Sequence, residues 1–171
     1  ENDAMNKIAH CMNYGCFIGN LTGSIYGGYA GRAEGVAVLE TAYHLMGLTV
    51  YQANFQQSFP FHLHFTSNSG REMLWLISVT HQAVSRNSRI LSTSNGFLNA
   101  GSGTEMVLYE AAAHGLTSTV SGGHLWETAV ARNKTRNYAT PLEARLACEV
   151  GHSVARQGMT RTQANEIVNR L

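Results

Sequence analysis

Short apolar runs alternate along the chain with longer segments whose apolar residues recur at helical spacing, and this alternation limits the possible folds. Residues 48–53 and 61–65 are typical of short strands. Ahead of them, Val36, Leu39 and Tyr43 recur on one face of a predicted helix. Strands joined by helices run parallel, because each helix returns the chain to the end of the sheet where the previous strand began. The sequence therefore predicts an α/β fold with a parallel sheet and outer helices.

About four strands are expected, and the sequence after residue 114 is predicted to be helical. Gly47 is predicted to end the helix before the second strand, because glycine tolerates the left-handed conformation found at helix ends. The predicted strands are residues 16–20, 48–53, 61–65 and 89–92.

Four helix starts are marked by a hydroxyl residue three positions ahead of an acid or an amide. This pattern is the capping box, in which the hydroxyl and the second side chain each satisfy a free backbone N–H group. Gly158 is expected to end the helix that the third pair begins. The pairs are Ser69 with Glu72, Ser102 with Glu105, Thr140 with Glu143 and Thr160 with Gln163.

Parallel strands joined at this spacing predict the C-terminal half of a TIM-like (β/α)8 barrel with a helical C-terminal tail. Residues 1–10 have the pattern of a helix already under way, so the N-terminal half of the barrel is expected upstream. Residues 1–171 are therefore interpreted as a single segment of one barrel domain. Active sites of such barrels lie at the C-terminal ends of the strands. Residues 21–31, 65–69 and 93–103 are expected at that face.

The composition argues against several classes of partner. The formal charge of +1 gives no electrostatic attraction for nucleic acid or an anionic membrane. No apolar run approaches the roughly 20 residues that a membrane span needs. Charged residues make up only 13% of the chain, which predicts contacts with other protein and a homo-oligomer. The cysteines form an odd set without a CxxC motif, so a disulfide framework is not expected and a cytoplasmic location is favoured.

Several short motifs occur in a fixed order, and their spacing is more informative than any one of them. In this order they resemble the C-terminal half of the monomethylamine methyltransferase family, whose archaeal members carry pyrrolysine. The resemblance runs without a gap over most of the chain and implies the same TIM-like barrel. The motifs are Ile8-Ala9-His10, Gly27-Gly28-Tyr29-Ala30-Gly31, Arg71-Glu72, Thr104-Glu105-Met106 and Glu143-Ala144-Arg145.

This resemblance implies a corrinoid-dependent methyltransferase that transfers methyl from a methylated amine to a cognate corrinoid protein. In the family the catalytic pyrrolysine lies upstream of the matched segment, and its ring holds the amine for attack by Co(I). The corrinoid belongs to the partner protein. This segment is therefore expected to bind no cofactor of its own, with the corrinoid protein and a small methylated amine as its partners.

The resemblance also places three residues in the substrate pocket. The family's carboxylate, amide and phenol fall at Leu21, Asn95 and Phe97. Asn95 keeps an amide, one methylene shorter, and Phe97 keeps the ring without the hydroxyl. Leu21 loses the acid, which would stabilise the positive charge of the amine. The three side chains are expected to converge on one cavity, and the substrate is expected to be bulkier or less polar than monomethylamine.

Two other functions remain open. His62 and His64 lie two positions apart in a predicted strand, so both imidazoles would share one face, as in metal-dependent hydrolase barrels. The second alternative is a non-catalytic paralogue that serves as an assembly module after losing the pocket acid at Leu21. A nucleotide site at Gly28-x-x-Gly31 is less favoured than a tight loop, because the leading Gly-x-Gly of the dinucleotide motif is missing.

Overall fold

Helices and strands alternate through the computed structural model, which describes residues 2–130 and 139–171. No helix within these residues combines the length and apolar character that a membrane span requires. The helices are α1 (Asn2–Asn13), α2 (Ala33–Thr49), α3 (Arg71–Asn87), α4 (Glu105–Val120), α5 (Pro141–Gln157) and α6 (Arg161–Val168). The strands are β1 (Gly19–Thr22), β2 (Ile25–Tyr26), β3 (Phe55–Ser58), β4 (Phe61–His62), β5 (Ser92–Leu98) and β6 (His124–Val130).

Four of the strands form one parallel sheet in the order β1–β3–β5–β6. Leu21 of β1 pairs with Gln57 of β3, which pairs in turn with Thr93 of β5. Strands β2 and β4 form a separate two-stranded parallel sheet. Helices α2, α3 and α4 each lie between successive strands of the larger sheet. The predicted α/β fold with parallel strands is therefore confirmed.

Alternating side chains of the strands point to different surroundings. Ser58, Ser92 and Ser94 hydrogen-bond to side chains of α2, α3 or α4, so they define a helix-facing side of the sheet. Because successive strand residues point to opposite faces, the residues between them lie on the other side. We call that side the inner face. Its members include Leu21, Phe55, Gln57, Asn95 and Phe97.

The apolar core lies mainly among the helices and meets the sheet at Leu98 and Val130. It consists of three clusters, and each fully buried aliphatic side chain contributes about 1.5–3 kcal/mol through removal from water. The clusters are Ala33, Val36, Ala37, Met73, Leu76 and Ile77 between α2 and α3; Leu98, Val107, Ala111 and Val130 around β5, α4 and β6; and Leu116, Val154 and Ala164 among the last three helices.

The positions of the main strands correct the prediction from the sequence. Residues 48–53 were expected to form a strand, but α2 runs to Thr49 and β3 begins only at Phe55. Residues 61–65 shrink to the two-residue β4, and β5 begins at Ser92, where the predicted strand ended. The strands are rich in Asn, Gln and Ser because their helix-facing side is hydrogen-bonded rather than apolar. Apolar runs therefore mark the flanks of these strands instead of the strands themselves.

Strand β6 is a further correction, since helix was predicted throughout this region. Residues 124–130 pair in parallel with β5, from Thr93 opposite His124 to Leu98 opposite Val130. Gly122, with φ of 84°, and Gly123 separate the strand from the end of α4. The pairing with β5 supplies hydrogen bonds that a local sequence pattern does not reveal.

Two of the four predicted capping boxes are confirmed. The Thr140 and Thr160 hydroxyls each accept a backbone N–H, and the side chains of Glu143 and Gln163 accept the N–H of the cap residue. Helix α5 ends where predicted, at Gly158 with φ of 63°.

The other predicted boundaries are wrong. Helices α3 and α4 begin after Gly70 and Thr104 without a side-chain cap, so Ser69 and Ser102 do not cap them. The Ser69 hydroxyl instead donates to Glu110 at 3.0 Å, a tertiary contact that competes with the local cap. Gly47 does not end α2 but lies within it.

Close packing of α5 on α4 leads to a prediction about Gly115. Alanine normally stabilises a helix by about 0.5–1 kcal/mol relative to glycine. A Cβ at Gly115 would lie 2.6 Å from the carbonyl oxygen of Ala147 on α5. We expect Gly115→Ala to lower the free energy of unfolding by about 1–3 kcal/mol, because α5 has to move away. Urea denaturation of the product of the complete reading frame measures this change.

Gly101→Ala is the matched control, because a Cβ there has 4.0 Å to its nearest neighbour. It should change the free energy of unfolding by less than about 0.5 kcal/mol. Gly115→Ala with unchanged or raised stability would contradict the close contact between α4 and α5.

Candidate functional site

The candidate site lies on the inner face of the sheet and is centred on β5. Three side chains on neighbouring strands form a hydrogen-bonded row across it. Gln57 Nε2 of β3 donates to Asn95 Oδ1 at 3.3 Å, and Asn95 Nδ2 donates to Glu127 Oε1 of β6 at 3.1 Å. Both ends of the Asn95 amide are therefore engaged, so its orientation is fixed. Asn95 is 2% exposed, whereas Glu127 is exposed.

A β-bulge in β6 brings Glu127 into this row. Ser94 pairs with Leu125, but the next pair is Asn95 with Glu127, so the partner strand skips Trp126. Without the extra residue, Glu127 would pair with Gly96 and point to the helix-facing side. A bulge can thus redirect a side chain into a site. Here it turns a carboxylate towards the inner face.

Asn68 holds the C-terminal end of β5 in place. Its Nδ2 donates to the carbonyl oxygen of Asn95 at 2.7 Å, and its Oδ1 accepts the Phe97 N–H at 2.7 Å. Asn68 is completely buried. One amide therefore satisfies a donor and an acceptor of the backbone that carries both Asn95 and Phe97, which fixes their separation.

Aromatic rings surround the polar row. Phe97 packs edge-on against Phe59, with ring centroids 4.8 Å apart. Trp126 stacks on Phe55 at 4.7 Å and remains 55% exposed. The inner face therefore combines an amide and a carboxylate with apolar walls, a combination typical of small-molecule sites.

Leu21, Asn95 and Phe97, the pocket residues expected from the sequence, lie on the same side of the sheet. Leu21 is on β1, paired with Gln57, and Gln57 bonds to Asn95 on the far side of β3. Leu21 is 53% exposed, so nothing in the described residues encloses it. Asn95 and Phe97 lie within β5 rather than in a loop after it, as residues 93–103 were expected to be.

His62 and His64 do not form the shared face that was expected for a metal site. Strand β4 ends at His62, and the His64 N–H donates to His62 Nδ1 at 3.1 Å, so His64 lies in a turn. No group of three or more His, Cys, Asp or Glu side chains in residues 2–130 and 139–171 is placed to hold a metal ion. His62 instead lines a cavity of about 270 Å³ with aromatic and polar neighbours, among them Tyr26 and Glu110.

Behind the site, histidines join the sheet to the helices. His44 Nδ1 lies 2.8 Å from the Glu40 carbonyl, so the neutral ring donates there and its Nε2 accepts from the Ser92 hydroxyl. Ser92 Oγ then accepts from His81 Nδ1 at 2.8 Å. This chain of bonds leaves His81 Nε2 as an acceptor, which is buried without a partner.

Burial keeps these histidines neutral. It lowers the pKa of His81 to about 3, helped by neighbouring histidines, and lowers the pKa of His114 to about 4. His114 bonds to Ser94 through Nε2 at 2.8 Å. His81 and His114 are both fully buried against the sheet.

Glu40 is the one acid that enters this buried layer among the described residues of α2. Burial raises its pKa, while hydrogen bonds from the Ser24 and Ser58 hydroxyls and the Ser24 N–H act in the opposite direction. These bonds fasten the loop after β1 and the end of β3 to α2. Glu40 therefore supports the strand ends from behind the inner face.

Sequence reasoning missed Gln57, Asn68 and Glu127 as site residues. Gln57 and Glu127 fell outside the predicted strands, so their position on the inner face was hidden. Trp126, Thr128 and Val130, at alternate positions after Gly122 and Gly123, were the available signal for β6. Nothing in the local sequence marks Asn68, whose role depends on contacts with β5.

Together, the parallel strands, the helices packed on one side and the polar row across the sheet define an α/β protein whose candidate site lies on the inner face of its sheet. The family model for monomethylamine methyltransferase MtmB matches residues 1–171. The chain therefore belongs to the monomethylamine methyltransferase family.

Relatives and solved structures agree with this assignment. The chain is 31% identical to monomethylamine methyltransferases MtmB2 of Methanosarcina acetivorans and MtmB1 of Methanosarcina barkeri, over 99% of its length and 37% of theirs. The crystal structure of the Methanosarcina barkeri enzyme matches with a TM-score of 0.86 and 29% identity, over 95% of this chain and 36% of that one. A hydroxylamine complex of MtmB matches equally well. The chain spans little more than a third of the length of these relatives.

The buried histidines lead to a prediction about pH. Their pKa values are lower in the folded state than the ordinary value of 6.5, so the unfolded chain binds more protons below that pH. Stability should therefore fall as the pH drops from about 7 to about 5, by on the order of 2 kcal/mol for each histidine. The raised pKa of Glu40 acts in the opposite sense. Urea denaturation at several pH values measures the slope.

His114→Gln should flatten this slope, whatever it does to stability at neutral pH, because it removes one buried titrating group. His152→Gln on α5, where His152 is exposed, is the matched control and should keep the parent slope. Equal slopes in the parent protein and His114→Gln would contradict the role of His114.

Proposed function

We propose that this chain forms part of a corrinoid-dependent methyltransferase that moves a methyl group from a methylated amine to a cognate corrinoid protein. The observation that carries this proposal is the match of the whole chain to the monomethylamine methyltransferase family. Its inner face adds a suitable site, with an oriented amide, an exposed carboxylate and aromatic walls. The hydroxylamine complex of the related MtmB agrees with a site for small amines in that protein.

The proposal extends to the architecture. Residues 1–171 would form one part of a TIM-like (β/α)8 barrel domain, with the inner face of the sheet directed to the barrel interior. Two observations support this: the helices contact the opposite side of the sheet, and apolar residues such as Phe17 and Trp126 remain exposed. Barrel interiors are filled by side chains from all strands, so these residues would be covered in a complete barrel.

Each residue of the site has a role in the proposed reaction. Asn95, fixed by Gln57 and Asn68, would orient the amine through its amide. Phe97 would supply an apolar wall that excludes water and leaves the methyl group accessible. Methylated amines are cations near neutral pH, as lysine is, so an aromatic wall also attracts them. Leu21 would favour a larger or less polar donor than monomethylamine.

The methyl acceptor would be the cobalt of a corrinoid carried by the partner protein, so this segment would bind no cofactor itself. The residues described here would position the amine and exclude water. The pyrrolysine that the family uses to hold the amine would lie outside the residues matched here. The inner face fits such a division of labour, because the helices pack on the opposite side of the sheet and leave Glu127 and Trp126 exposed.

Methyl transfer by the purified product of the complete reading frame tests the proposal. With a reduced corrinoid protein and a series of mono-, di- and trimethylated amines, at least one amine should give methylated corrinoid at a rate above the protein-free control. Absence of transfer from every amine in the series would reject the proposed activity.

Leu21→Glu tests the proposed position of the pocket. Restoring the family's acid should improve use of a small charged amine relative to larger donors, because a carboxylate would pair with the cation. One good charge-assisted hydrogen bond contributes roughly 1.5–3 kcal/mol. The ratio of kcat/KM for monomethylamine to kcat/KM for the larger amine measures the effect.

Leu21→Gln, which has the same length without the charge, is the matched control and should change the ratio less. Unchanged donor preference in Leu21→Glu would remove Leu21 from the proposed pocket.

A further inference from the structure

We propose that Glu127 supplies the carboxylate that pairs with the cationic amine, a role that Leu21 cannot fill in this chain. This inference rests on the proposed function, because it concerns the same substrate class and the same inner face. It identifies β6, where a helix was expected, as the strand that carries the charge of the site.

The first argument is geometric. Glu127 Oε1 accepts the Asn95 Nδ2–H at 3.1 Å, so the carboxylate lies directly beside the amide assigned to the pocket. An amine that contacts Asn95 is therefore within reach of Glu127. Leu21 is separated from Asn95 by the whole of β3, so Leu21 and Glu127 lie on opposite sides of the amide.

The bulge provides the second argument. The extra residue in β6 turns Glu127 to the inner face next to Trp126, whereas regular pairing would send Glu127 towards the helices. The bulge interrupts the ladder between β5 and β6 at the position of Asn95. Such interruptions are found next to active sites, where they redirect a side chain. The carboxylate and the stacked indole thus lie side by side.

The third argument concerns the chemistry of the ligand. Glu127 is exposed and has no Lys or Arg within ion-pair distance among the described residues, where the one such pair is Arg145 with Glu149. The exposure of Glu127 allows its carboxylate to meet a ligand. A methylated ammonium could donate N–H bonds to Glu127 while its methyl groups contact Trp126. The ligand class is accordingly a small alkylated ammonium ion with at least one N–H.

Glu127→Gln separates charge from positioning. Glutamine keeps an oxygen that can accept the Asn95 N–H, so the row from Gln57 can persist while the negative charge is lost. We expect the Kd for monomethylammonium, measured by calorimetry on the product of the complete reading frame, to rise roughly tenfold or more. Glu166→Gln on α6, where Glu166 is exposed, is the matched control and should leave the Kd unchanged.

A second variant tests the shared cavity. Leu21→Glu in the Glu127→Gln background should restore part of the lost affinity, because it replaces a carboxylate on the same face. Affinity of Glu127→Gln equal to that of the parent protein would overturn the proposal. So would failure of the parent protein to bind any methylated ammonium ion.

Binding and turnover distinguish this inference from the proposed function. A parent protein that binds methylammonium through Glu127 but transfers no methyl group would reject the methyltransferase activity and support the role of Glu127. A parent protein that transfers methyl with unchanged affinity and rate in Glu127→Gln would support the activity and reject the role of Glu127.

Discussion

The alternation of side chains along β5 is the constraint on which both the packing and the site depend. Ser92 and Ser94 point to the helices and bond to buried histidines, while Asn95 and Phe97 point to the inner face. A shift of one residue would exchange the two sets. The hydrogen bonds behind the sheet therefore also determine which side chains are available in front of it.

The hydrogen bonds between the sheet and the helices form a rigid layer behind the site. Burying the polar groups of this layer costs desolvation free energy. Buried, uncharged histidines and Glu40 occupy positions where many α/β proteins have aliphatic residues. Each hydrogen bond requires a specific rotamer, so the layer specifies one register more strongly than apolar packing would. Asn68 extends this control to the end of β5 by binding its backbone on both sides of Gly96. A preorganised amide such as Asn95 needs less reordering when it meets a ligand.

The proposed site differs in charge from what the resemblance to the family implies. The resemblance implies a carboxylate where this chain has Leu21, while the bulge in β6 turns Glu127 towards the same face. A carboxylate beside an amine and an aromatic wall gives the site selectivity for cations, whichever strand provides it. The proposed substrate class therefore depends on the total set of inner-face side chains and not on position 21 alone.

The sequence by itself determined the α/β class, the family and the local helix boundaries at Thr140, Gly158 and Thr160. These features depend on periodicity, motif order and contacts between near neighbours, all of which are written along the chain. Leu21, Asn95 and Phe97 lie in strands of one sheet and on one side of it, and their convergence in one cavity remains a prediction.

Only the tertiary structure decided the exact strands, the histidine layer and the position of Glu127. Polar strand residues such as Gln56 and Ser94 resemble loop sequence until distant residues, Asn20 of β1 and His114 of α4, supply their hydrogen-bond partners. Ser69 matches a local cap, but Glu110, 41 residues away in the chain, takes its hydroxyl. The bulge depends on pairing between β5 and β6, so no local pattern could reveal which face Glu127 occupies. Contacts between distant residues fix all of these features, and local propensity is too weak to override them.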